Sequence, residues 1–87
     1  MYNVVLKKSA ENDLGKINPV YYDYVKSHLF SLEKNPRPFG YRKLKGSKNH
    51  YRIRIGVYRV IYSINDDILT VEVIKIDHRR NVYRNIN

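Results

Sequence analysis

The stretch from Tyr51 to Tyr62 reads YRIRIGVYRVIY and sets three arginines, Arg52, Arg54 and Arg59, among β-branched and aromatic residues. A second cluster, DHRRNVYR, places Asp77, His78, Arg79, Arg80, Tyr83 and Arg84 within eight residues near the end of the chain. These residue types point to phosphate chemistry. Guanidinium forks bind phosphate oxygens in pairs. A tyrosine stacks on a base or donates a hydrogen bond to a phosphate, and a histidine takes and gives a proton near neutral pH. Lys43, Lys45 and Lys48, in the loop before the first cluster, add flexible positive charge suited to tethering a phosphate backbone.

The arginines depend on a hairpin for their placement. Gly56-Val57 fits a two-residue loop, because Gly at the first central position is what a type II′ turn requires. Ile55 then opposes Tyr58, Arg54 opposes Arg59, Ile53 opposes Val60 and Arg52 opposes Ile61. Alternation along a strand puts Tyr51, Ile53, Ile55, Tyr58, Val60 and Tyr62 on one face, and Arg52, Arg54, Arg59 and Ile61 on the other. Like charges directly across a ladder are destabilising by a few tenths of a kcal/mol or more. The plain explanation is a solvated face offset by Glu72 or Asp77 of the next strand. The functional explanation is a phosphate.

The remaining elements follow from local signals. YNVVL reads as a short strand. Ser9 is expected to cap a helix running through Ile17, with Ala10, Leu14 and Ile17 on one face. Asn18-Pro19 marks the start of a second helix, whose stripe is Tyr22, Val25, Leu29 and Leu32; it should end near Asn35, before Pro36. NPRPFGYRKLKGSKNH is a loop by composition. Strand-like runs follow at 51–55, 58–64 and 68–76, with Asn65-Asp66-Asp67 as a turn. The order β-α-α-β-β-β predicts an α+β fold, with a helical hairpin on one face of a mostly antiparallel twisted sheet and a basic face left free.

Composition narrows the class. With 87 residues and 43% hydrophobic content, one domain spanning 1–87 is expected. There is no cysteine, which excludes disulfides and thiolate metal sites. No apolar run reaches the ~20 residues of a membrane span. The N-terminal MYNVVLKKSAEND lacks a signal-peptide layout, so a cytoplasmic location is expected. His28, His50 and His78 have no ligand spacing, and there is no glycine-rich phosphate loop, so neither a metal nor a cofactor is expected. The formal net charge is +9. Residues 1–36 carry five lysines against four carboxylates, whereas 37–87 carry twelve Lys and Arg against four, including all eight arginines. Such segregation suits a phosphate-rich partner or an acidic protein.

YRKLKG, YRIRIGVYRVIYSINDD and VIKIDHRRNVYR together resemble the RelE/ParE superfamily of toxins from type II toxin–antitoxin systems, and the length and element order match as well. The RelE branch implies a ribosome-dependent endoribonuclease that cuts mRNA in the ribosomal A site. There the 2′-hydroxyl attacks the adjacent phosphate, leaving a 2′,3′-cyclic phosphate and a 5′-hydroxyl. By position the resemblance implies Arg52, Arg54, Arg59, Arg79 and Tyr83 as catalytic and singles out Lys45 in the loop; Lys43, Lys45, Lys48, His78 and Arg80 are expected, from their charge and placement, to bind the RNA. It also implies a RelB-like antitoxin partner in a higher-order hetero-oligomer. One departure matters. The best-known members carry lysines at the positions of Arg52 and Arg54. Arginine, with a pKa above about 12, does not give up its proton, so these two are expected to bind phosphate and transition-state charge. Proton transfer then falls to Tyr83 or His78, or in part to the ribosome and RNA. The alternatives are a ParE-like toxin that inhibits DNA gyrase without cutting RNA, or an inactive relative that only binds RNA.

Overall fold

The computed structural model describes residues 1–80. The elements are β1 (Asn3–Leu6), α1 (Lys8–Gly15), α2 (Pro19–Phe30) with a 3₁₀ turn at Ser31–Glu33, β2 (Arg42–Lys43), β3 (His50–Ile55), β4 (Tyr58–Asn65) and β5 (Thr70–His78). The five strands form one sheet in the order β1-β5-β4-β3-β2. Strand β1 runs parallel to β5, and every other pair is antiparallel.

Alternation builds the core. Tyr58, Val60, Tyr62 and Ile64 of β4 are buried, as are Ile53 and Ile55 of β3 and Val71, Val73 and Ile76 of β5. Ala10 and Leu14 of α1, Val25 and Leu29 of α2, and Leu32 of the 3₁₀ turn join them in one cluster, with Tyr22 packed beside it. The expected stripe is therefore the buried one. The Asn18 side chain caps α2 by accepting from the Val20 N–H at 3.0 Å, with Pro19 at the first turn.

Ser9 plays a different part from the one expected. Helix α1 begins without a side-chain cap, and the Ser9 hydroxyl donates to the Ile74 carbonyl at 2.7 Å. One turn later the Asp13 carboxylate accepts from the Ile76 N–H at 3.0 Å. Strand β1 pairs with β5 only over residues 70–73, so the edge of β5 beyond Val73 lacks a strand partner on that side. Side chains four residues apart on α1 lie on one helix face and satisfy that edge.

A fifth strand was not expected. Gly46, at φ +78, lies in the turn that folds Arg42 and Lys43 back onto β3. They pair with Arg52 and Tyr51 respectively, and the Leu44 N–H donates to the His50 carbonyl at 2.9 Å. At the other end, β5 starts at Thr70. Ile68 and Leu69 belong to the turn, where the Asn65 side chain accepts from the Asp67 and Ile68 N–H groups and Leu69 takes φ 48.

Two polar ties hold the back of the molecule. The buried Tyr62 hydroxyl donates to the Pro36 carbonyl at 2.8 Å, and burial pushes its pKa up. Asp66 accepts from the Arg37 guanidinium at 2.9 and 3.3 Å and from the Tyr2 hydroxyl at 2.5 Å. The Arg37 bond, then the Tyr2 bond, hold the Asp66 carboxyl below its ordinary value, and the bond to Asp66 raises the Tyr2 hydroxyl.

Candidate nucleic-acid interface

Gly56 adopts φ +61, as the first position of a type II′ turn requires. The register is the expected one: Ile55 faces Tyr58, Arg54 faces Arg59, Ile53 faces Val60 and Arg52 faces Ile61. Direct cross-strand partners share a face, so Arg52, Arg54 and Arg59 stand together on the side of the sheet away from the core.

Strand β2 enlarges this set. Arg42 lies directly across from Arg52 and so belongs to the same face. Gly40, Arg42, Arg52, Ile53, Arg54 and Arg59 line an open cleft of about 310 Å³. Arg42 and Arg54 are exposed, and Arg52 and Arg59 are half-buried. Arg42 had no signal in the sequence, because a two-residue strand shows no alternation. Only the pairing with β3 assigns it a face.

The next strand supplies a carboxylate. Asp77 lies across from Arg59, completing a row Arg54–Arg59–Asp77. Glu72 faces Ser63, which faces His50, so it lies two rows away. A register shift lies between Ile61 and Tyr62, whose partners are Lys75 and Val73. Ile74 is thus an extra residue on β5, a bulge. Before it Val71 and Val73 point into the core; beyond it Ile76 does, and Lys75 and Asp77 turn to the arginine side.

The other expected site residues are distributed less compactly. Lys43 faces Tyr51 and so points away from the arginine face. Lys45 and Lys48 are exposed in the β2–β3 loop, at the end of β3 opposite the Gly56-Val57 turn. Arg79 is exposed, and its N–H donates to the Val57 carbonyl at 2.7 Å, which fixes its backbone at the sheet end carrying Arg54 and Arg59. His78 faces Tyr58 and packs edge-on against that ring at 5.5 Å, so it stands on the opposite face from the arginines. Its Nδ1 accepts from the Arg80 N–H at 3.0 Å. Arg80 is exposed. Tyr83 lies outside the described residues.

A cationic cleft on the sheet face, open to solvent and with Asp77 across from one of its arginines, can bind a phosphodiester backbone and stabilise added negative charge on it.

Comparison with known proteins follows the same line. Residues 4–83 match the family model of the ParE toxin of type II toxin–antitoxin systems. RelE1 of Methanocaldococcus jannaschii is 34% identical over 87 residues, covering 97% of this chain and 97% of its own length. Toxin RelG of Mycobacterium tuberculosis is 31% identical over 84 residues, covering 95% and 97%. In the crystal structure of the archaeal RelE–RelB complex from Pyrococcus horikoshii, a chain 31% identical superposes with a TM-score of 0.78 over 90% of this chain and 94% of its own. Isolated RelE of E. coli, 21% identical, shares the fold over the full length of both chains with a TM-score of 0.76. This chain therefore belongs to the RelE/ParE family of type II toxin–antitoxin toxins and is RelE-like within it.

Proposed function

We propose that this protein is a ribosome-dependent endoribonuclease that cleaves mRNA in the ribosomal A site and so halts translation in the cytoplasm. The observation that carries the reading is the Arg54–Arg59 pair with Arg52 in one open cleft. Cleavage by 2′-hydroxyl attack builds charge on the phosphorane-like transition state. Arginines set on rigid strands offer donors to that charge without reorganising. In this reading Arg59 and Arg79 clamp the scissile phosphate, Arg52 and Arg54 hold its developing charge, and Tyr83 contacts the 2′-hydroxyl or base. His78, turned to the other face, is left with no direct part in proton transfer. Positioning of the mRNA by the ribosome supplies much of the rate, so the free protein cuts weakly. The reaction as written needs no metal.

A RelB-like antitoxin is the expected neutralising partner, in a higher-order complex. The relatives solved as RelE–RelB and RelBE2 complexes support this, and an acidic, partly disordered chain suits the basic face. A second reading, gyrase inhibition without RNA cleavage, is favoured by the ParE name of the matching family model. One experiment separates the two. The purified protein is added to a translating extract, mRNA 5′ ends are mapped, and gyrase supercoiling is assayed in parallel. Codon-spaced new ends that vanish with Arg59→Ala support the ribonuclease. Supercoiling loss without cuts supports the gyrase reading.

A further inference from the structure

The arginine face holds two like-charge pairs, and the proposed cleavage uses one of them fully. Arg54 faces Arg59 across β3 and β4, and Asp77 extends that row. Arg42 faces Arg52 across β2 and β3. Its row continues through Ile61 to Lys75 and so contains no carboxylate. Among the described residues neither Arg42 nor Arg52 makes an ion pair; the ion pairs there join Arg37 to Asp66 and Lys75 to Asp13. A directly opposed cationic pair with nothing to offset it costs stability, and an anion placed between the two guanidinium groups removes that cost.

The two pairs are offset from each other. Arg52 and Arg54 are two residues apart on one strand, roughly 6.6 Å at about 3.3 Å per residue. The pairs also occupy adjacent strand gaps, about 4.8 Å apart. This diagonal step is comparable to the separation of successive phosphates along an extended single strand. Both pairs open into the same cleft, which is continuous from Arg42 to Arg59.

We propose that Arg42 and Arg52 form a second phosphate subsite, which grips the phosphate next to the scissile one and sets the register of a single-stranded RNA across the sheet. The proposal rests on the ribonuclease reading, adds Arg42 to the site as a binding residue and moves Arg52 from the scissile phosphate to its neighbour, leaving the developing charge to Arg54 and Arg59. The Arg54–Arg59 pair takes one phosphate, the Arg42–Arg52 pair takes its neighbour, and the RNA crosses the strands obliquely.

The test uses the full-length protein and non-cleavable 2′-O-methyl trinucleotides, titrated by NMR, so that the amide spectrum also reports the fold of each variant. One trinucleotide carries both natural phosphates. Two others carry a neutral methylphosphonate at one linkage or the other. The wild type is expected to lose about tenfold in affinity at either replacement, the scale of one charge-assisted contact. Arg42→Ala is expected to weaken the natural ligand about tenfold and to abolish the effect of methylphosphonate at one linkage only, and Arg42→Lys is expected to restore part of the loss. Arg54→Ala should remove sensitivity at the other linkage. If Arg42→Ala leaves both linkages as sensitive as in the wild type while Arg54→Ala does not, the second subsite is refuted and the ribonuclease reading stands. If neither arginine affects binding, the RNA reading of the face fails with it.

Discussion

At the residue scale, the division of roles turns on what a guanidinium group does and does not do. It presents two parallel donors to a phosphate and keeps its proton. Arg59→Ala is therefore expected to lower the rate of mRNA cleavage on the ribosome by about 10²–10³, as when a preorganised transition-state donor is removed. Arg54→Lys, which keeps the charge and loses the fork, should retain more activity than Arg54→Ala; mapped 5′ ends from a translating extract give both numbers. Tyr83→Phe tests the proton role separately, since undiminished cleavage would remove Tyr83 from it. Tyr62 has no part in that face. Its hydroxyl serves the Pro36 carbonyl, and Tyr62→Phe leaves that acceptor unpaired in the interior. The expected cost is about 1–2 kcal/mol of stability, read by urea unfolding, with cleavage by the folded protein unchanged. Arg52, Arg54 and Arg59 were legible in the sequence because each sits in a strand with clear alternation. Arg42 was not, because a residue acquires a face only when its strand acquires a partner.

At the element scale, the hairpin shows how much a single turn decides. The Gly56-Val57 loop fixes which residues face each other, and a slip of one residue would move every arginine to the core side. Gly56→Ala tests this. An added Cβ would meet the Tyr24 ring only at an ordinary 3.6 Å, so the cost is that of φ +61 for a residue with a Cβ, about 1 kcal/mol. A lower urea midpoint with the same fold is the expected result. The hairpin was readable because its signals are local: a glycine, a two-residue gap and alternation on both sides. The N-terminal helix illustrates the opposite case. A serine ahead of an apolar repeat reads as a cap by local rules, yet Ser9 and Asp13 bond to β5, more than sixty residues along the chain. Nothing near Ser9 encodes that edge.

At the scale of the whole molecule, charge and pH act together. With a net charge of +9, binding of single-stranded RNA should fall steeply with salt, by about 0.7 in the log–log slope for each phosphate engaged. Acid stability is set in part by one carboxylate. Asp66 titrates below its ordinary 3.8 in the folded protein, so its contribution is present at neutral pH and is lost as the pH falls through the folded value. Asp66→Asn should melt at a lower temperature than wild type at pH 7, with the gap closing below pH 3.8; calorimetry across that range checks it. The bulge at Ile74 also acts on this scale. It is the one place in β5 where the two-beat alternation of the strand skips a beat, so positions before and after it are read in different phases. Pairing Ile74 in step, with no bulge to absorb it, would be the spatial counterpart of a frameshift. Lys75 and Asp77 would be sent toward the core and Ile76 toward solvent, each keeping its identity and losing its address.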